Sequence, residues 1–132
     1  MKTNAILIDP ATKTLKEVFW KDRWSRSLQK LYDLLECEAI ELLRNETRKD
    51  SLIVNSEGKT ERELHLANER GVFKYDYASD LFGPQCYSFL KDAATPEIVG
   101  KALYQRQSIR KGLAIPLKYD FERASKLFTY DL

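Results

Sequence analysis

The chain has 132 residues, of which 43% are hydrophobic and 32% are charged, and its formal net charge is +2. These proportions are those of an ordinary soluble domain and exclude a chain that is disordered throughout. A chain of this length buries roughly two-thirds of its unfolded surface, which is enough for a core of its own. The apolar stretches are too short to cross a bilayer, and no charged-then-apolar leader marks a secretory signal. We therefore expect a single domain, residues 1–132, located in the cytoplasm and without a membrane partner.

The first twenty residues carry the clearest structural signal. A short apolar run at residues 5–8 is followed by a turn-like stretch that begins with Asp9-Pro10. Residues 14–20 then form a second run, rich in β-branched and aromatic side chains. Two such runs around an Asp-Pro turn predict a β-hairpin, in which Asp9 accepts a hydrogen bond from the backbone that follows it. The hairpin favours an α+β fold over an all-α fold.

The next segment has the spacing of an amphipathic helix. Either Asp22 or Ser25 can cap its start. Its apolar residues fall at i, i+3, i+4 and i+7 and form one stripe, which consists of Leu28, Leu31, Tyr32 and Leu35. This pattern predicts a helix that packs on a sheet and ends near Glu36.

Several strands are predicted after this helix. Residues 39–43 and residues 52–54 read as the two strands of another hairpin, with a charged turn between them. Residues 72–77 alternate and indicate either a strand or an aromatic loop. Residues 85–90 indicate an apolar and aromatic strand, which follows the turn signal Gly83-Pro84.

Two helices are predicted in the last forty residues. Thr95-Pro96-Glu97 combines a capping threonine, a proline at the first helical position and an early acid, which is typical of a helix start. This helix would end at Gly112, and its apolar face would consist of Ile98, Val99, Ala102 and Leu103. Asp120 can cap a last short helix over residues 121–128. The predicted fold class is therefore α+β, with a mostly antiparallel sheet and two or three helices.

Four landmarks follow one another in a recognisable order. The first is Ile6-Leu7-Ile8-Asp9-Pro10 followed by residues 14–18, and the second is Ala39-Ile40-Glu41. The third is Leu52-Ile53-Val54 followed by Glu57-Gly58-Lys59, Leu66 and Asn68, and the fourth is Gly83-Pro84. Together they resemble an uncharacterised domain family that is common in phages, plasmids and other mobile elements. The resemblance covers about residues 4–90 and leaves a basic C-terminal extension, about residues 91–132. The family usually has a glycine pair where this chain has Glu36-Cys37-Glu38. Because the family has no established activity, the resemblance implies an origin and no catalytic residue.

An aromatic cluster is the first candidate for a functional surface. It consists of Phe73, Tyr75, Tyr77, Phe82, Tyr87 and Phe89. Within it, Tyr75, Tyr77 and Phe82 are the candidate protein-binding residues. Tyrosine gives a large contact area at a low entropic cost, so a partner bound here would use Tyr75 and Tyr77 as exposed anchors. The alternative is that the cluster is core with a partly exposed edge.

A basic segment is the second candidate. Five basic residues and no acids lie between Ile98 and Tyr119, and Tyr104 and Tyr119 are interleaved with them. On a helix, three of the basic residues would form one patch, consisting of Arg106, Arg110 and Lys111. Basic and aromatic residues together hold phosphate and stack bases, so this segment is a candidate nucleic-acid-binding site. The alternative is the solvated face of a helix.

The sequence shows no motif for catalysis, a cofactor or a metal. His65 is the one histidine of the chain, and Cys37 and Cys86 have no paired spacing. The leading hypothesis is therefore a non-enzymatic accessory protein of a phage or mobile element, which binds a host or phage protein and inhibits a host defence or modulates a host enzyme. A nucleic-acid-binding module is the alternative, and a small hydrolase or transferase with a carboxylate-based site is a third. The sequence does not indicate an oligomeric state.

Overall fold

The computed structural model describes residues 5–19, 28–44, 50–57, 68–75, 86–90, 98–106, 117 and 120–130. In these residues nine strands form two sheets. The strands are β1 (Ala5–Asp9), β2 (Thr14–Val18), β3 (Ile40–Arg44), β4 (Asp50–Asn55), β5 (Val72–Tyr75), β6 (Tyr87–Phe89), β7 (Ile98–Val99), β8 (Ala102–Arg106) and β9 (Thr129–Tyr130). The helices are α1 (Leu28–Leu35) and α2 (Phe121–Leu127), and residues 68–70 are also helical. No helix in this part of the chain is long and apolar enough to cross a membrane.

The larger sheet has five strands in the order β2-β1-β8-β4-β3. All four neighbouring pairs are antiparallel. The two predicted hairpins are confirmed, since β1 pairs with β2 and β3 pairs with β4. The central strand β8 comes from the C-terminal part of the chain and joins the two hairpins into one sheet. The α+β class and the mostly antiparallel pairing are thereby confirmed.

The predicted helix from Thr95 is wrong, because residues 98–99 and 102–106 are strands. The residues from Ala102 to Gln105 are all buried, so both faces of β8 are covered and its sequence does not alternate. Such a continuous apolar run cannot be told from a buried helix by its periodicity. Gly100, at φ +90°, lies between the strands and turns the chain from one sheet to the other.

The smaller sheet has the order β7-β5-β6-β9. Its strands β5 and β6 confirm a strand within each of the two predicted aromatic segments, over residues 72–75 and 87–89. The last strand β9 follows α2 directly and pairs with β6 in parallel. Its two residues are too few to give a strand pattern in the sequence, which is why the sequence analysis did not predict it.

The larger sheet is covered on both faces. One face packs on α1, and its buried cluster consists of Ala5, Leu7, Leu31, Leu35, Ile53 and Leu103. The opposite face packs on the smaller sheet and α2, in a cluster that includes Ile6, Ile8, Leu52, Val54, Phe73, Tyr87, Phe89, Tyr104, Ala124 and Phe128. Successive side chains of a strand point to opposite faces, so both hairpins contribute to both clusters.

The helix ends follow the sequence signals. Helix α1 ends at Leu35, in agreement with the predicted end near Glu36. The Cys37 N–H donates to the Tyr32 carbonyl at 3.0 Å, and the Glu36 N–H donates to the Asp33 carbonyl at 3.4 Å. This is the hydrogen-bond pattern of a Schellman motif, and Glu36 occupies its left-handed position at φ +53°. The predicted cap of α2 is also confirmed, since the Asp120 carboxylate accepts a hydrogen bond from the backbone N–H of the third helical residue.

Candidate functional site

A cleft of about 200 Å³ lies at one end of the fold, where five separate segments of the chain meet. The segments are the β1–β2 turn, the end of α1, the end of β4, the helical residues 68–70 and the link between β7 and β8. The lining residues are Asp9, Ala11, Leu35, Glu36, Asn55, Glu69, Arg70, Gly100 and Lys101. We refer to this site as the charged cleft.

Two polar side chains of the charged cleft shape the turns that form it. Asp9 Oδ1 accepts a hydrogen bond from the Ala11 N–H at 3.1 Å, which confirms the role predicted for Asp9. Asn55 Oδ1 accepts one from the Glu57 N–H at 3.0 Å, directly after β4. These Asx turns fix the path of the backbone as it leaves β1 and β4.

A glycine contact holds three of the five segments together. Gly71 is at φ +80°, and a Cβ atom at this position would overlap the backbone of Pro10 and Ala11. The Gly71 carbonyl accepts a hydrogen bond of 3.0 Å from the Gly100 N–H. The β1–β2 turn, the helical residues 68–70 and the β7–β8 link are therefore fixed against one another, which places Arg70 and Lys101 on the same cleft.

Left-handed backbone is concentrated at this end of the molecule. The described residues with positive φ are Lys13, Glu36, Gly71 and Gly100. Glu36 and Gly100 line the cleft, Gly71 follows Arg70 in sequence, and Lys13 belongs to the same turn as Ala11. A residue with a side chain has a free-energy cost of about 1–2 kcal/mol in this conformation. Two of the four residues are glycines, which adopt this conformation without a Cβ penalty, and Glu36 belongs to a Schellman motif. The cleft is the candidate site because five segments and five charged side chains meet there.

The charged side chains of the cleft differ in their exposure to solvent. Asp9, Glu36 and Glu69 are acidic, and Arg70 and Lys101 are basic. Lys101 Nζ lies 3.2 Å from Glu36 Oε2, but the Lys101 side chain is 25% exposed whereas that of Glu36 is 72% exposed. Arg70 is half-buried and Glu69 is exposed. Both positive groups and Asp9 are therefore partly removed from water, while the carboxylates of Glu36 and Glu69 are exposed.

Cys37 follows Glu36 at the edge of the cleft, and the positive charge of Arg70 affects the pKa of its thiol. Burial raises the pKa of the Cys37 thiol, while a backbone hydrogen bond from Ala39 and the positive charge of Arg70 lower this pKa in part. The net shift is upward, which disfavours the thiolate that a nucleophilic cysteine needs. Cys86 is buried in the core, as expected of a small apolar side chain.

The aromatic candidates are only partly within the described residues. Tyr75 is half-buried at the end of β5, and its ring centroid lies 5.1 Å from that of Tyr87 in the core. Tyr77 and Phe82 lie outside the described residues, as does His65. Tyr75 therefore has one side in the core and one side toward water, which fits an aromatic edge better than a fully exposed anchor.

Of the three basic candidates, Arg106 is the one that the structure describes, and it lies on a strand rather than on a helix. Arg106 is the last residue of β8 and is half-buried, so the helical patch expected with Arg110 and Lys111 is wrong at its first member. Arg110 and Lys111 lie outside the described residues. Tyr104, which was expected beside the basic residues, is buried in the core and contacts Tyr87 edge-on.

The charged cleft was not found from the sequence. Its cations Arg70 and Lys101 come from segments far apart in the chain, and no spacing rule connects them. Asp9 and Glu36 stood out only as a turn residue and a helix end. In the described part of the chain, no group of three or more His, Cys, Asp or Glu residues is placed to hold a metal ion.

Comparison of the chain with protein-family models, with curated proteins and with solved structures finds no match.

Proposed function

We propose that this chain is a non-enzymatic accessory protein of a phage or mobile element, which works by binding another protein at the charged cleft. The observation that carries the proposal is the meeting of five segments around one cleft, fixed there by Asx turns and left-handed residues. A fold that holds five loops in one place presents a preorganised surface, and preorganisation lowers the entropic cost of binding.

The roles of the polar groups favour binding over catalysis. Asp9 and Asn55 each use a side-chain oxygen to hold a backbone turn. Glu36 and Lys101 are paired with each other across the cleft. Groups used in this way fix the shape and the charge of a surface, which is what recognition of a partner requires.

The mobile-element origin is supported by the resemblance of residues 4–90 to a phage- and plasmid-borne family. The expected partner is a host protein, such as a defence protein that is inhibited or an enzyme that is modulated, or another phage protein. We assign the contact with this partner to the charged cleft.

The test is affinity capture from a lysate of the bacterial host, with the wild-type protein and two lysine variants. Lys101→Met removes one of the two cations of the cleft and keeps an unbranched side chain. Lys126→Met is the matched control, because Lys126 forms an exposed ion pair of 3.4 Å with Glu122 on α2, away from the cleft. We expect a protein that is captured by the wild type and by Lys126→Met and lost with Lys101→Met.

The captured protein is then purified, and its dissociation constant is measured by calorimetry for the three forms of the chain. A loss of at least tenfold for Lys101→Met alone supports binding at the cleft. Equal affinities for all three forms, with the fold of each verified by circular dichroism, would overturn the proposed site.

A further inference from the structure

We infer that the charged cleft receives a carboxylate of the partner, which replaces the carboxylate of Glu36 on the Lys101 ammonium group. The inference rests on the proposed function and adds the chemistry of the group that is recognised. In this scheme Glu36 occupies the carboxylate position while the protein is free, and it moves into water when the partner binds.

The position of Lys101 in the cleft is fixed by the backbone next to it and by partial burial of its side chain. The adjacent Gly100 is held by its N–H, which donates to the Gly71 carbonyl at 3.0 Å. The Lys101 side chain is 25% exposed, so much of its stem is out of water while its ammonium group reaches the cleft. A partly desolvated cation interacts more strongly with an anion than a fully hydrated one.

Glu36 is suited to be exchanged. Its side chain is 72% exposed although it lies 3.2 Å from Lys101, so water competes for its carboxylate and the pair holds it weakly. It also follows the last residue of α1 and belongs to none of the described core clusters. The Glu36 side chain can therefore leave Lys101 while the backbone turn stays as it is.

The remaining charged groups of the cleft have mixed signs, so the attraction for an anion comes from Lys101. Arg70 and Asp9 are half-buried and of opposite charge, and the carboxylate of Glu69 is exposed. One oxygen of Asp9 accepts a hydrogen bond from the Ala11 N–H. The volume of about 200 Å³ admits one side chain or one chain end and excludes a folded element. The carboxylate would thus come from an acidic side chain or from a C-terminus of the partner.

Three short peptides distinguish these sources. Acetyl-Gly-Glu-Gly-amide carries a side-chain carboxylate, acetyl-Gly-Gln-Gly with a free C-terminus carries a main-chain carboxylate, and acetyl-Gly-Gln-Gly-amide carries neither. Each is titrated into the 15N-labelled full chain, and the amide shifts of Gly100, Lys101 and Glu36 report binding. We expect saturable shifts with one or both carboxylate peptides and none with the uncharged peptide. Identical shifts with all three peptides, or no shifts with any, would overturn the inference.

Two variants are expected to change affinity in opposite directions. Glu36→Gln removes the internal competitor and should tighten peptide binding by about two- to fivefold, the range expected for loss of an exposed ion pair. Lys101→Met should weaken binding by at least fivefold, and Lys126→Met should leave it unchanged. A weaker affinity for Glu36→Gln together with a tighter one for Lys101→Met would mean that the cleft takes a cation, and this result would overturn the inference.

The peptide titration tests the carboxylate inference and the protein capture tests the proposed function, so a negative result in one does not decide the other. If peptides do not bind but capture of the partner still depends on Lys101, the proposed function stands and the carboxylate inference is wrong. If the carboxylate peptides bind as expected but capture does not depend on Lys101, the cleft recognises carboxylates and the proposed role in partner binding is wrong.

Discussion

Gly71 lies directly against the backbone of Ala11, at a place where a Cβ atom would overlap the β1–β2 turn. This contact joins the N-terminal hairpin to the helical residues 68–70 and, through the Gly71 carbonyl, to Gly100. The wall of the charged cleft therefore depends on an approach of two backbones that only glycine permits.

Replacement of Gly71 by alanine should destabilise the protein by about 2–4 kcal/mol. The added methyl group would overlap the hairpin backbone, and alanine would also be strained at φ +80°. The measurement is equilibrium unfolding in urea, monitored by circular dichroism.

Gly100→Ala is the matched control for this substitution. Gly100 also has a positive φ, at +90°, but nothing lies within 4 Å of the Cβ position. Its loss of stability should be limited to the backbone strain of about 1–2 kcal/mol. Equal losses for the two variants would show that the overlap at Gly71 is relieved by movement of the turn.

The left-handed end of α1 makes a prediction about Glu36. Both Glu36→Gly and Glu36→Ala remove the ion pair with Lys101, but only glycine adopts φ +53° without a Cβ penalty. We expect the glycine variant to be more stable than the alanine variant by about 1 kcal/mol, measured by urea unfolding. An alanine variant as stable as the glycine variant would mean that the helix does not end in this Schellman motif in solution.

The local parts of the fold could be predicted from the sequence. The Asp9 turn, the end of α1 near Glu36 and the Asp120 cap each depend on residues a few positions apart, which is the range of helix and turn rules. Of the predicted α1 stripe, Leu31 and Leu35 are buried, whereas Leu28 is exposed.

The non-local parts could not be predicted. Strand β8 is buried on both faces because α1 covers one face of the larger sheet and the smaller sheet with α2 covers the other, and this burial removed the alternation that marks a strand. The Thr-Pro-Glu signal at residues 95–97 then favoured a helix. The charged cleft is non-local in the same sense, because sheet order rather than sequence spacing brings Lys101 to Glu36.

The position of Tyr75 predicts a contribution to the core. Its ring packs on Tyr87 at 5.1 Å and is half-buried, so Tyr75→Ala should lower the free energy of unfolding by about 1–3 kcal/mol. Lys74→Ala is the control, since Lys74 is exposed on the same strand and should change stability by about 0.5 kcal/mol or less. If Tyr75→Ala kept full stability and lost a partner in the capture experiment, Tyr75 would be a binding residue instead.

The raised pKa of Cys37 predicts a pH profile for its alkylation. The thiolate is the reactive form, so a pKa above that of a free cysteine means a smaller reactive fraction at pH 8 and a rate that continues to rise above pH 9. Arg70 lowers this pKa through its positive charge, and Arg70→Gln should therefore shift the midpoint of the profile to still higher pH. The reaction with iodoacetamide is followed by mass spectrometry of the peptide that contains Cys37, and Lys126→Gln is the control for a distant charge. A midpoint at or below that of free cysteine, or a downward shift with Arg70→Gln, would contradict the placement of Cys37 and Arg70 beside the charged cleft.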